Sequence, residues 1–279
     1  MSNKTTIVKH AFSYTISRYI AQVLNFFTSI FIKRFLGPVN VGIWNLLKVF
    51  IDYSNYTDLG APDVAFYQIP YLKGMGKFGE AQTLKNNIFN FVLLSSAISS
   101  MAVLIYALFS WGNIRPEFAF GLFVISALFF AQKIYAYNIV LMRANKDFGL
   151  LSAVAIFDSV MNLVLILTIV RPFQLYGFYA VILILPVLNI LFVRSRVDYG
   201  LEPGFRFKGL LANIKFGLPL YFTNILRCVL NSVDKILIAS MLGFEQLGFY
   251  SIALMTKGYG ADISLNFSHV VAPYFFESC

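Results

Sequence analysis

Charge, cysteine and histidine are scarce in this sequence. Of 279 residues only 13% are Asp, Glu, Lys or Arg, and there are two cysteines and two histidines. Cys228 sits inside an apolar stretch and Cys279 is the last residue, so the thiols offer neither a disulfide framework nor metal-ligand spacing. Redox chemistry and a bound metal are therefore not indicated. The chain also lacks a Gly-rich phosphate loop ending in Lys-Ser/Thr, an Asp-x-Asp pair and any convincing nucleophile–histidine set, which leaves catalysis and cofactor binding without residues to carry them. It has no substantial polar loop of the kind a membrane glycosyltransferase or polymerase carries. Its basic residues are scattered and form no stripe, so nucleic-acid binding has no support.

What remains is apolar. Such residues make up 58% of the chain and aromatics 17%, and mean hydropathy is +0.72. A soluble domain of this length would have to expose too much of that surface. Stretches of about 20 apolar residues, each the thickness of a bilayer's hydrocarbon core, recur with short polar breaks. They predict spans at 11–32, 39–60, 86–111, 118–141, 149–170, 174–193, 217–238 and 247–271: an all-α, polytopic membrane bundle. The first stretch is too long for a signal peptide and has no small-residue cleavage site, so it is expected to be retained. With the amino terminus inside, twelve Lys and Arg fall in inner segments and four (Lys33, Arg34, Arg115, Arg171) in outer ones. That bias places the amino terminus in the cytoplasm and makes the net charge of +9 mainly a topology signal, with attraction to anionic membrane lipid second.

FLGPVNVGIW at 35–44 is echoed by MLGFEQLGFY at 241–250, a shift of 206. The same shift superposes Val23-Leu24-Asn25 on Val229-Leu230-Asn231, Ile30 on Ile236 and Ile32 on Ile238. Span one thus aligns with span seven and span two with span eight. The repeating unit is six helices, and an even number makes the two units parallel, related by an axis along the membrane normal. A six-helix lobe over 1–200 and the first two helices of a repeat lobe over 201–279 follow. In each turn the first glycine is expected to end one helix and the second to let the next begin close by.

Polar residues within the repeat-related spans fall on single helical faces. Span one carries Thr15, Arg18, Gln22, Asn25 and Ser29; span two Asn45, Lys48, Asp52 and Asn55; span seven Asn224, Arg227, Asn231 and Asp234; span eight Asp262, Asn266 and His269. A charge at mid-span costs about 2.5 to 3.5 kcal/mol of insertion energy, so these faces must turn away from lipid. They either line a water-filled cavity or neutralise one another, as Lys48 with Asp52 and Arg227 with Asp234 would. Cavity lining is the preferred reading for Arg18, Lys48 and Arg227. Both readings stand open for Asp158 with Asn162, for Lys133 and for Lys257, while His269 reads as a packing residue.

KRFLGPVNVGIW, a polar second span ending in Asp58-Leu59-Gly60, and SVDKILIASMLGFEQLGFYSIA together resemble the oligosaccharide flippases of polysaccharide biosynthesis. Those proteins share a superfamily with multidrug extruders and the peptidoglycan-precursor flippase. The resemblance implies two six-helix lobes facing a central cavity and a substrate of undecaprenyl-diphosphate-linked oligosaccharide, moved to the outer leaflet for O-antigen, capsule or exopolysaccharide assembly. It further implies a bacterial inner-membrane location and contact with other polysaccharide-assembly proteins. Arg18, Gln22, Asn25, Lys48, Asp52, Arg227 and Asn231 are then the expected substrate contacts. The sequence departs from the family at Ala61-Pro62-Asp63, and its second lobe stops after two helices. A cation-coupled multidrug antiporter, with Asp52, Asp158 or Asp262 as the ion-binding carboxylate, is the alternative, and a non-transporting remnant is a third.

Overall fold

In the computed structural model, residues 2–202 and 210–256 are described. Among them the chain is helical and has no strand. Helix α1 runs Ser2–Ser54 but breaks at Gly37, whose φ of 71° and ψ of 170° lie outside the helical region, so it holds two of the expected spans. Then come α2 (Ala61–Gly74), α3 (Phe78–Phe109), α4 (Pro116–Ala144), α5 (Phe148–Leu165), a single π-helical turn (Ile166–Val170), α6 (Arg171–Arg194), α7 (Leu210–Met241) and α8 over residues 244–256. Among the described residues, three runs are long and apolar enough to cross a membrane: α3, α4, and α5 with α6 taken together, Phe148–Arg194. The protein is an all-α membrane bundle.

Three features differ from the sequence expectation. The stretch after span two forms the short helix α2. Leu59 (φ 49°) and Gly60 (φ 75°) turn the chain left-handed, and Pro62 then occupies the first helical turn, where its missing N–H costs nothing. α3 begins at Phe78 rather than 86, because its polar first turns continue the helix beyond the apolar stretch. Between α5 and α6 the expected loop is only a kink, at Gln174 (φ 48°).

α4 is the centre of the bundle: 56% of its apolar window is buried, against 33% for α3 and 22% for the α5–α6 run. At one end Leu47, Leu122, Ile125 and Val181 join α1, α4 and α6 in one core. At the other, Ile69, Ile88, Tyr137 and Leu141 join α2, α3 and α4. At that second end the segment following α6 is tied down by polar contacts around a cavity of about 510 Å³. Gln82 Nε2 and Lys85 Nζ both donate to Gly200 O at 3.2 Å, and Tyr199 donates to Asp147 Oδ2 at 2.9 Å. Burial, and then the Asp147 carboxylate, push the Tyr199 phenol above its usual pKa.

Candidate functional site

The two echoing turns meet. A Cβ on Gly42 would stand 1.8 Å from the backbone oxygen of Phe244, and one on Gly248 would stand 1.9 Å from that of Pro38. Phe244 is the 206-shifted counterpart of Pro38, and Gly248 that of Gly42. The contact is therefore reciprocal, each turn's second glycine packing on the other's backbone at a distance only glycine permits. The first glycines, Gly37 (φ 71°) and Gly243 (φ 88°), have open space where a Cβ would be and are needed for their positive φ alone. Away from the turns the contacts cross over. α1's first half meets α8 through Ser29–Met255 Sδ (3.1 Å) and Lys33 to Ser251 O (3.3 Å), while its second half meets α7 through Tyr53–Ser232 (2.8 Å).

On that second seam lies a polar cleft of about 220 Å³ lined by Asp52, Asn55, Tyr56, Arg227, Asn231 and Ser232, with buried Cys228 behind. Asp52 in α1's last turn, with Asn55 and Tyr56 just past its end, faces residues at i, i+4 and i+5 on α7, so a polar edge at the end of α1 opposes a polar stripe of α7 across the seam. Three of the expected substrate contacts, Asp52, Arg227 and Asn231, are brought together here. Asp52 and Arg227 form no ion pair, and Arg227 and Asn231 are exposed. Among the described residues no ion pair engages the guanidinium, whose planar fork of donors suits an anion.

The other expected contacts lie elsewhere. Lys48, one turn before Asp52, is exposed and within electrostatic reach of Lys33. Arg18, also exposed, shares electrostatic reach of the Tyr135 hydroxyl with Asp158. Gln22 and Asn25 lie one and two turns after Arg18 on α1's first half, half-buried and outside the cleft. Asp158 accepts a 2.5 Å hydrogen bond from Asn189 Nδ2 of α6, and Asn189 Oδ1 is buried with no partner among the described residues. Asp234 is used in pairing α7 with α8: it accepts from the Tyr250 hydroxyl. Asp262 with Asn266 and His269, Lys257, Arg206, Lys208 and Cys279 lie outside the described residues.

Sequence reasoning missed the most buried charge pair among the described residues. Lys133 Nζ of α4 bonds Asp58 Oδ1 at 2.7 Å, with side-chain exposures of 3% and 10%. Its other two donors go to Thr57 Oγ1 (2.7 Å) and Ser95 Oγ (3.1 Å), and Ser95 donates to Asp58. All three ammonium protons are spent. The network clamps the strained turn at 59–60 between α3 and α4. Asp58 stood in the Asp-Leu-Gly already noted, but a separation of 75 residues gave no periodic signal for its partner.

The profile of the polysaccharide biosynthesis protein family matches residues 77–277, well over half of the sequence. The chain belongs to that family. Comparison with curated proteins and with solved structures returned no match. As a polysaccharide biosynthesis protein built of membrane helices, the chain takes part in making or exporting polysaccharide.

Proposed function

We propose that this polysaccharide biosynthesis protein is a flippase that carries polyprenyl-diphosphate-linked oligosaccharide from the cytoplasmic to the outer leaflet of a bacterial inner membrane. The observation that carries the reading is the Arg227 cleft, where a guanidinium with no ion pair among the described residues lies beside Asn231 of its own helix and faces Asn55 across the seam. A cationic side chain within a membrane protein is expensive, and it is kept where charge has work to do. At about 220 Å³ the cleft is too small for an oligosaccharide but suits a diphosphate. Arg227 would bind the phosphate oxygens bidentately, while Asn55 and Asn231 replace part of their lost hydration.

The reciprocal glycine contact supports the division into a lobe over 1–200 and a repeat lobe beginning at 201. With the amino terminus in the cytoplasm, the two turns lie on the outer side and hold the lobes together there, so this arrangement faces inward. Opening outward would part Gly42 from Phe244 and Gly248 from Pro38. Of the two expected carboxylates among the described residues, Asp158, beside the Asn189 carbonyl, is better placed than Asp52 to take a coupling cation, since a cation would satisfy both oxygens.

In cells whose surface polysaccharide depends on this protein, Arg227→Ala and Lys48→Ala should reduce the polysaccharide while leaving membrane insertion intact, and Arg18→Ala should do so to a smaller degree. Arg227→Lys should retain part of the activity, because charge survives and the fork does not. If these variants behave like wild type while Asp52→Asn abolishes export of a cationic dye, the protein is an antiporter instead.

A further inference from the structure

On the adjoining face of α1's second half lies another cleft, of about 470 Å³, between α1, α3 and α4, with Ile236 of α7 at its edge. Its walls are Val49, Phe50, Val103, Tyr106, Phe118 and Phe129, and it lies at the level of the apolar stretches of α3 and α4. Five hydroxyl side chains line it; four are bonded within the protein, and the fifth, Tyr106, sits on the exposed side of α3. Tyr53 pairs with Ser232 (2.8 Å), Ser54 donates to Ile51 O (2.9 Å), Thr57 to Ser54 O (2.8 Å) and Ser99 to Ser95 O (2.7 Å). Apart from the Tyr106 hydroxyl at the exposed rim, the cleft therefore offers hydrocarbon contact, so a head group gains little there and an alkyl or isoprenoid chain gains its burial.

The cleft shares a wall with the Arg227 cleft. Tyr53 lines the apolar side and its hydrogen-bond partner Ser232 lines the polar one. A molecule with an anionic head and a hydrocarbon tail can thus occupy both, passing the Tyr53–Ser232 contact. Ala102 and Tyr106 are exposed on α3 and form a mouth through which a chain enters from the bilayer. We propose that this cleft takes the first isoprene units of the lipid carrier whose diphosphate sits at Arg227, so that the tail is held inside the bundle during transfer. This rests on the diphosphate reading of the Arg227 cleft.

The test uses the full chain in phosphatidylcholine nanodiscs with geranylgeranyl diphosphate bearing a diazirine on its chain, irradiated and mapped by mass spectrometry. Adducts are expected at Val103, Tyr106 and Phe118, displaced by unlabelled geranylgeranyl diphosphate. Ala102→Phe and Val103→Phe narrow the cleft and should each lower those adducts about tenfold, the equivalent of losing two buried methylenes, with an unchanged unfolding temperature. Adducts confined to the exposed α3 residues Ile98, Met101 and Ile105, with binding still competed by inorganic diphosphate, would overturn the tail site and leave the head site standing. Cleft adducts from phosphatidylglycerol with a diazirine acyl chain that geranylgeranyl diphosphate cannot displace would assign the cleft to ordinary lipid and overturn the proposal. Absence of any binding would overturn both readings.

Discussion

Asp52 and Asp58 stand six residues apart, yet their surroundings are opposite. Asp58 is 7% exposed and closed in a network where Lys133, Ser95 and Thr57 spend their donors on one another. Asp52 shares an open cleft with Arg227 and pairs with nothing charged there. In a membrane bundle both arrangements avoid lipid, but only one leaves a charge to offer. A saturated buried pair holds the turn that precedes α2, whereas an unsaturated one across a seam is available to a ligand. Burial alone would have picked the wrong pair as the site.

Four sets of changes sharpen or break that contrast. The largest effect should come from Lys133→Met, which strands the Asp58 charge and should cost about 3–5 kcal/mol of stability. Adding Asp58→Leu should restore most of it, because an apolar pair replaces an ionic one. Thermal unfolding of the purified protein in detergent reads this, and a double variant as unstable as the single would mean the network does more than clamp. Next is Gly42→Val, which drives a side chain into the Phe244 carbonyl and should cost about 1–3 kcal/mol. Gly37→Ala should cost about 1–2 kcal/mol through backbone strain alone. Equal losses of an engineered cross-link between the turns in both variants would contradict the separate roles given to the two glycines.

Asp52→Asn and Arg227→Ala come third, with stability shifts within about 0.5 kcal/mol, since neither leaves a buried charge behind. Their effect should appear in surface polysaccharide, strongly for Arg227 and weakly for Asp52. Smallest is Lys77→Ala, which removes an exposed i,i+3 pair with Glu80 (3.0 Å) and should change stability by about 0.3 kcal/mol. A larger loss there would show that surface charge matters more than burial in this bundle.

The all-α membrane bundle was legible because about 20 apolar residues in a row have few other uses, and the Leu-Gly echo was legible because two turns with the same mechanical problem keep the same glycines. Periodicity predicted stripes, and the end of one opposed to another gave the grouping of Asp52, Arg227 and Asn231. What periodicity could not give was a partner on a distant helix. Lys133 finds Asp58 only because α4 sits at the centre of the bundle, and Asp158 finds Asn189 only because the kink at Gln174 folds α6 back along α5. Arg18 shares its helical face with Gln22 and Asn25, but the break at Gly37 carries that face toward Tyr135 and Asp158 and away from the cleft. The short helix α2 escaped notice because 14 residues with a mid-helix proline give a weak apolar signal.

The most direct measurement compares geranylgeranyl diphosphate affinity, by displacement of a fluorescent polyprenyl diphosphate from the full chain in nanodiscs, for wild type, Arg227→Ala and the doubly substituted Lys133→Met with Asp58→Leu. Loss of a charge-assisted, bidentate contact should weaken binding by about 10- to 100-fold in Arg227→Ala. The double variant should bind as wild type does. The opposite pattern, with affinity lost on neutralising Lys133 and Asp58 and kept without Arg227, would place the anion at the buried pair and contradict the assignment of the α1–α7 cleft.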